Sequence, residues 1–458
     1  MDVLIRNCTV VTCDNEGTII QDGAIAVSGE TITAIGKTDD LERRFNHLET
    51  IDGQGKAVLP GFINAHTHTV LNVLRGTVED LDAGAVYTYM TPITFAMTPD
   101  ERSAIASLGC LEAIKCGTTT LVDPLRHVHT YAQAMVDSGL RLFLSESCAD
   151  ALTLQIRFGN YEYSRQWGEE FLERAVTLVE KFHNVENGRV QCQIAAHATD
   201  NCSPWMLGEL LALSEKYDLR RTIHLAQSRD EVAQIKALNG GTPVEYLRDN
   251  GWLGSELLAA HWIFCTEQDI EILAETGTHM AHCPASGSRH GSHSGAKMPT
   301  IFDAGVNVAL GTDNMSEDMF QALSIGLIIN RGKRGSGTEP APSQILDCAT
   351  RNGAFALDRQ ANLGTIEQGK LADLSIVNLR RPHLTPNINL LSNLVHYGQA
   401  SDVESVMVGG RMVMQNGKVL TMNEDDTLRN AQEATANAWA RMHEMYPDIR
   451  VPEISKQN

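Results

Sequence analysis

His66 and His68 stand one residue apart in Gly61-Phe62-Ile63-Asn64-Ala65-His66-Thr67-His68. Neutral imidazoles are ligands for divalent transition metals, and a His-x-His pair offers two from one short segment. The preceding run, 57–64, is short and mostly apolar, and reads as one buried strand. Alternate residues of an extended chain share a side, so both rings project from the carboxyl end of that strand. Taken alone, the pair is also what two surface histidines would look like. Three more residues of ligand type close apolar runs further on. His224 ends Arg221-Thr222-Ile223-His224, His261 ends Leu257-Leu258-Ala259-Ala260-His261, and Asp313 follows 306–310 in Gly311-Thr312-Asp313. Any one of them could be a satisfied core or loop residue. Four histidines and an aspartate, each where a strand meets its loop, point to a divalent metal. One position of that metal stays open for a water whose pKa it lowers toward neutrality.

The elements that must position these residues follow from the hydrophobic pattern. Residues 1–56 alternate short apolar runs with Asp-Asn, Asp-Gly and Ser-Gly turns, a small antiparallel β unit. From 57 to 372, apolar strands alternate with helical stretches: 118–122, 140–145, 190–196, 221–225, 257–261, 279–282 and 306–310. With 57–64 these make about eight strand–helix units, which predicts a (β/α)8 barrel, an α/β fold whose chemistry sits at the carboxyl ends of the strands. Residues 373–424 return to β pattern. Both chain ends are expected to pair as one β-sandwich flanking the barrel, and 425–458 to form a C-terminal helix and tail.

The chain has 458 residues, enough for one large barrel and a smaller domain. Its net charge of −20 argues against nucleic acid or an anionic membrane as partner. No basic leader and no apolar run of ~18 residues is present. The ten cysteines are scattered without a C-x-x-C pair, which suits free thiols in a reducing, cytoplasmic setting.

The chain resembles the amidohydrolase superfamily, and within it the deaminase/chlorohydrolase branch, over nearly its whole length. The likeness is carried by Asp52-Gly53, Leu59-Pro60-Gly61-Phe62-Ile63-Asn64-Ala65-His66-Thr67-His68 and Gly117-Thr118-Thr119-Thr120. It continues through Ala281-His282-Cys283-Pro284-Ala285-Ser286, Gly311-Thr312-Asp313, Ala349-Thr350, Gly364 and Gly369-Lys370-Leu371-Ala372-Asp373-Leu374. The resemblance implies His66, His68, His224 and Asp313 as ligands of one metal, with His261 orienting and deprotonating the attacking water beside Asp313. It implies His197 as a substrate contact. Binuclear members carry a bridging lysine on the fourth strand; 190–196 has none, so one divalent metal is expected, zinc first, with iron, cobalt or manganese suited to the same donors. Relatives commonly assemble, so a homo-oligomer acting on a small molecule is expected.

One departure bears on the chemistry. Deaminases of this branch carry His-x-x-Glu after the fifth strand, and the glutamate shuttles a proton. Here the motif is His224-Leu225-Ala226-Gln227, and an amide cannot deliver a proton at neutral pH. Three explanations compete. The leaving group needs no acid, as with chloride or thiolate, and Gln227 only positions substrate. Alternatively His282, His290 or His293 supplies the proton. Or the protein is a non-catalytic metal-binding homologue, against which the intact five-residue set argues. Cleavage of an amide, urea or carbamate C–N bond leads, and deamination or dechlorination of an N-heterocycle of triazine, pyrimidine or purine type is the alternative. Weaker signals are His127 and His129, read as solvated loop histidines, and Tyr87, Tyr89, Met90 and Trp262, read as pocket wall or packing. Arg75 reads as structural, and Asn314 as support for the metal aspartate.

Overall fold

In the computed structural model, residues 2–79, 86–289 and 296–450 are described. Eight parallel strands form the barrel: β1 (Phe62–Asn64), β2 (Thr118–Leu125), β3 (Arg141–Cys148), β4 (Ile194–Ala198), β5 (Arg221–Leu225), β6 (Leu257–His261), β7 (His279–His282) and β8 (Val308–Leu310). Each pairs with the next in sequence order, the arrangement that strand–helix repetition requires. A short strand, Val190–Cys192, also pairs with β3, so the expected run 190–196 is two pieces broken at Gln193. Backbone bonds close the seam between β8 and β1: Ala65 N–H donates to Leu310 O (2.9 Å), and Thr312 N–H and Asp313 N–H both donate to His66 O (3.1 and 2.9 Å).

The flank is a nine-stranded mixed sheet drawn from both chain ends. Its order is Lys418–Val419, Arg411–Gln415, Val403–Val408, Leu374–Asn378, Lys56–Pro60, Val3–Val11, Ile19–Ser28, Thr31–Lys37, with Glu49–Asp52 also on Val3–Val11. Hydrogen bonding is continuous, so the expected sandwich is one sheet whose two halves share a core; Ile5, Ile25 and Ile32 pack in one cluster with Leu374, Ile376 and Met407.

The run 57–64 is not a single strand. Residues 56–60 pair with Leu374–Asn378 in the flank, and the barrel begins only at Phe62. The break is at Gly61. Its N–H donates to Asp373 O (2.9 Å), and a Cβ there would lie 2.0 Å from Thr119 Cγ2, so the chain changes sheets where only glycine fits. A buried ion pair ties the two bodies together: Arg141 Nε and Nη2 donate to the two oxygens of Asp373 (2.8 and 3.0 Å).

The C-terminal helix, Glu424–Met445, lies against helix Pro99–Lys115. Trp439 Nε1–H donates to Val73 O (3.0 Å), and Arg441 pairs with Glu101. It therefore braces the turn Thr69–Leu74 that follows His68. All ten cysteines are free and buried, and no described helix is long and apolar enough to cross a membrane.

Candidate active site

The carboxyl ends of β1, β5, β6 and β8 deliver five buried side chains to one point. On β5, Ile223 and Leu225 pack outward in the main core, so period-two alternation sends His224 inward. On β6 the same rule fails to place His261. Leu258 and Ala260 point into the barrel, so alternation would send His261 outward with Leu257 and Ala259. A left-handed backbone at His261 (φ 82°), followed by another at Trp262 (φ 54°), breaks the alternation. The His261 ring then stacks 5.5 Å from His224 and lies 5.3 Å from His66. Asp313 is also left-handed (φ 64°). Non-glycine residues held there are strained, and such strain concentrates at functional sites.

His66, His68 and His224 bring ring nitrogens close together, and ring nitrogens of His66 and His261 with a carboxylate oxygen of Asp313 form a second grouping that shares His66. His68 Nε2 and His224 Nε2 are 3.1 Å apart; Asp313 Oδ1 is 3.5 Å from His68 Nε2 and 4.0 Å from His66 Nε2. Burial, then the neighbouring imidazoles, holds His66 and His68 well below the usual histidine range. Burial brings His224 and His261 down to about 4. All four rings are therefore neutral at pH 7. Both nitrogens of His66, Nδ1 of His68 and Nε2 of His261 are buried without a hydrogen-bond partner among the described residues. Orphaned buried polar atoms are costly. Convergent neutral imidazole nitrogens beside a carboxylate are a donor set for a divalent cation, and the residues fit that group.

Surrounding bonds aim the donors. His224 Nδ1–H donates to His197 O (2.6 Å), which leaves Nε2 as the free lone pair. Asp313 Oδ2 accepts from Ser286 Oγ (2.6 Å), and Asn314 Nδ2 approaches Oδ1 (3.3 Å). Beneath them Glu317 Oε2 accepts from Thr67 Oγ1 (2.7 Å) and Asn64 Nδ2 (3.1 Å), pinning β1 to the loop after β8. Burial raises the Glu317 carboxyl well above its ordinary range.

A cleft opens beside these residues, lined by His68, Met90, Arg126, His197, Gln227 and Asn314. His197 and Gln227, the two residues expected to contact substrate, both line it. The backbone N–H of Gln227 donates to buried Glu231 Oε2 (2.7 Å), and Glu231 also binds Ala226 N–H (3.0 Å) and Thr199 Oγ1 (2.6 Å). Thus Glu231 fixes the backbone that carries Gln227. His282 stands at the end of β7 but is not brought into either donor group; its Nε2 faces Asn330 Nδ2 at 3.5 Å, and burial takes it down to about 3. A histidine held neutral in that way is a poor acid at pH 7. His290 and His293 lie outside the described residues.

Other expectations need correction. His127 is not a solvated loop residue: it is buried, and its N–H donates to Glu146 Oε1 (2.6 Å). His129 Nδ1 faces the same carboxylate at 3.2 Å. Tyr89 turns away to Arg450 O (3.0 Å), and Trp262 is wholly buried in the main core. Tyr87 donates to Asp200 Oδ2 (3.3 Å) and accepts from Asn201 (3.0 Å), whose amide also meets His197 Nδ1 (2.6 Å). Arg75 binds Met315 O (2.9 Å) and Glu112 as a structural tie. Sequence reasoning passed over Arg126, Asp200 and Glu231. For Arg126 the available signal is its place one residue beyond β2, at the carboxyl end of a barrel strand.

Comparison with known proteins agrees with this geometry. The model of the Amidohydrolase family matches residues 57–413. The chain is 33% identical over 446 residues to a 5-methylthioadenosine/S-adenosylhomocysteine deaminase of Moorella thermoacetica, covering 96% of this chain and 99% of that one. It is 29% identical over 447 residues to a 5'-deoxyadenosine deaminase of Methanosarcina mazei, with 96% and 99% coverage. Among solved structures, an adenosine deaminase from Xanthomonas campestris with bound zinc superposes with a TM-score of 0.88 at 26% identity, covering 96% of this chain and 99% of that one.

Proposed function

Because this chain belongs to the amidohydrolase family, we propose that it hydrolytically removes an exocyclic amino group from an N-heterocycle. It is a metal-dependent hydrolase of carbon–nitrogen bonds. Of the two reactions the sequence leaves open, displacement at a heterocycle is the one that relatives matching over the whole chain support. The observation that carries the reading is the convergence of unpartnered neutral imidazoles on Asp313 at the barrel mouth.

In this reading His66, His68, His224 and Asp313 hold one divalent metal, zinc by analogy with the zinc-bound neighbour. Such an ion supplies a water acidic enough to attack at neutral pH. His261, neutral and with a free Nε2, takes the proton of the attacking water, and Asp313 holds that water in place beside it. His197 and Gln227 flank the substrate ring, Gln227 through its amide.

Gln227 favours a second reading. Without an acid at that position, a leaving group that departs as an anion, such as chloride, needs no proton. Metal analysis and a turnover panel separate the two. About one metal per chain and ammonia from an aminated purine or pyrimidine support deamination. Chloride from a chlorotriazine without ammonia supports the second reading, with Gln227→Glu then gaining ammonia release. Full metal occupancy with silence across the panel overturns both.

A further inference from the structure

Among the described residues that line the cleft, Arg126 is the one strongly basic group, and it is only 2% exposed. Its Nε and Nη2 are both buried without a hydrogen-bond partner among the described residues. These two nitrogens form one edge of the guanidinium, the edge that grips a carboxylate with two parallel bonds. Arg141, equally buried, shows that use within the same molecule: its Nε and Nη2 hold the two oxygens of Asp373. Glu146 interacts with Arg126 through its charge, while its oxygens meet His127 N–H and the His129 ring. Two buried guanidinium nitrogens without a hydrogen-bond partner are costly to the fold, and they belong to a residue that lines the cleft.

Resting on the deaminase reading above, we propose that Arg126 is a specificity-determining residue. Its buried, unpartnered Nε/Nη2 edge takes a two-acceptor, anionic or strongly polar edge of the substrate. A carboxylate on the heterocycle has that chemistry, and so does a ring carbonyl oxygen of an oxo-heterocycle, whose two lone pairs accept from both nitrogens. The substrate is thus an amino-heterocycle with an acidic or oxo edge, held between Arg126 and the metal residues. Burial lowers the Arg126 pKa to about 10, so it remains a cation at pH 7 and keeps its demand for such a partner.

The test measures calorimetric binding of three product-type probes, orotate, uracil and unsubstituted pyrimidine, to metal-loaded wild type, Arg126→Met and Arg126→Lys. Metal content and melting temperature are read alongside. The expected result is a loss of ~30-fold or more in affinity for orotate or uracil in Arg126→Met, unrepaired by lysine, which lacks the planar fork. Pyrimidine binding is unchanged, and Arg126→Met melts no lower than wild type, because an unpartnered charge has been removed. Orotate alone affected identifies the carboxylate as the partner; uracil affected as well identifies the oxo edge. Equal binding by all three proteins, or a wild type that binds none of the probes, overturns the proposal. So does a lower melting temperature with every probe weakened alike, which marks a structural arginine. Turnover of the corresponding amino-heterocycles by wild type is scored separately. Absence of ammonia with Arg126-dependent binding sinks the deaminase reading and leaves the arginine subsite standing.

Discussion

At the scale of single residues, the site is held by buried groups that complement one another, with imidazole nitrogens of His66, His68 and His261 left without a partner among the described residues. Removing one should cost the cation and not merely a bond. His66→Ala and Asp313→Ala are expected to lose bound metal and to lower turnover by ~10³-fold or more. Metal analysis beside kcat checks this, and retained metal with full rate would remove both residues from the proposed donor set. His66, His68, His224 and Asp313 were legible in the sequence because each closes or follows an apolar run, and the barrel pattern converts that position into proximity. His261 was legible in identity but not in mechanism, since only its left-handed backbone turns it inward. Arg126 was not legible, because an arginine after a strand carries no sign of whether its fork is filled.

At the scale of elements, strand contacts set the precision of the site. Gly311 passes so close to β1 that a Cβ there would lie 2.7 Å from His66 O. Gly311→Ala should force β8 from β1, destabilise the fold by about 1–3 kcal/mol, and weaken metal affinity together with it. Thermal melting and metal titration test this, and an unchanged metal affinity would refute it. On β2, Asp123 accepts from Thr69 Oγ1 (2.5 Å) while its Oδ1 has no partner among the described residues, and burial raises it from 3.8 to about 7. Between those values the folded state keeps a proton that the unfolded state has lost. The contribution to stability is therefore full below pH 3.8 and declines as pH rises through about 7. Asp123→Asn should flatten that decline and gain more in melting temperature at pH 8 than at pH 5; equal gains would contradict it. The strand periods were readable because buried parallel strands are apolar runs. The change of sheet at Gly61 was not, because 57–64 stays apolar on both sides of it and the turn depends on Thr119, 58 positions away in the chain.

At the scale of the whole molecule, barrel and flank are coupled through Arg141 and Asp373, whose Oδ1 also accepts from Gly409 N–H (2.7 Å). Asp373→Ala leaves Arg141 buried and unpaired, and should cost about 3–5 kcal/mol with no direct effect on the metal residues. Calorimetry showing a lowered melting temperature at unchanged metal content would agree; an unshifted melt would not. The pairing of both chain ends was foreseeable from their shared β pattern, but the continuity of the sheet was not, since it depends on residues 56–60 leaving the barrel run. The seam has a consequence for biosynthesis. Thr67 Oγ1 donates to Asp313 O across a separation of 246 residues, and His68 N–H donates to the same oxygen. A growing chain displays His66 and His68 long before Asp313 has been made. At that stage half of the proposed donors are present, and the full set exists only once the last strand docks on the first. In the proposed donor set, a complete ring of ligands therefore marks a finished barrel.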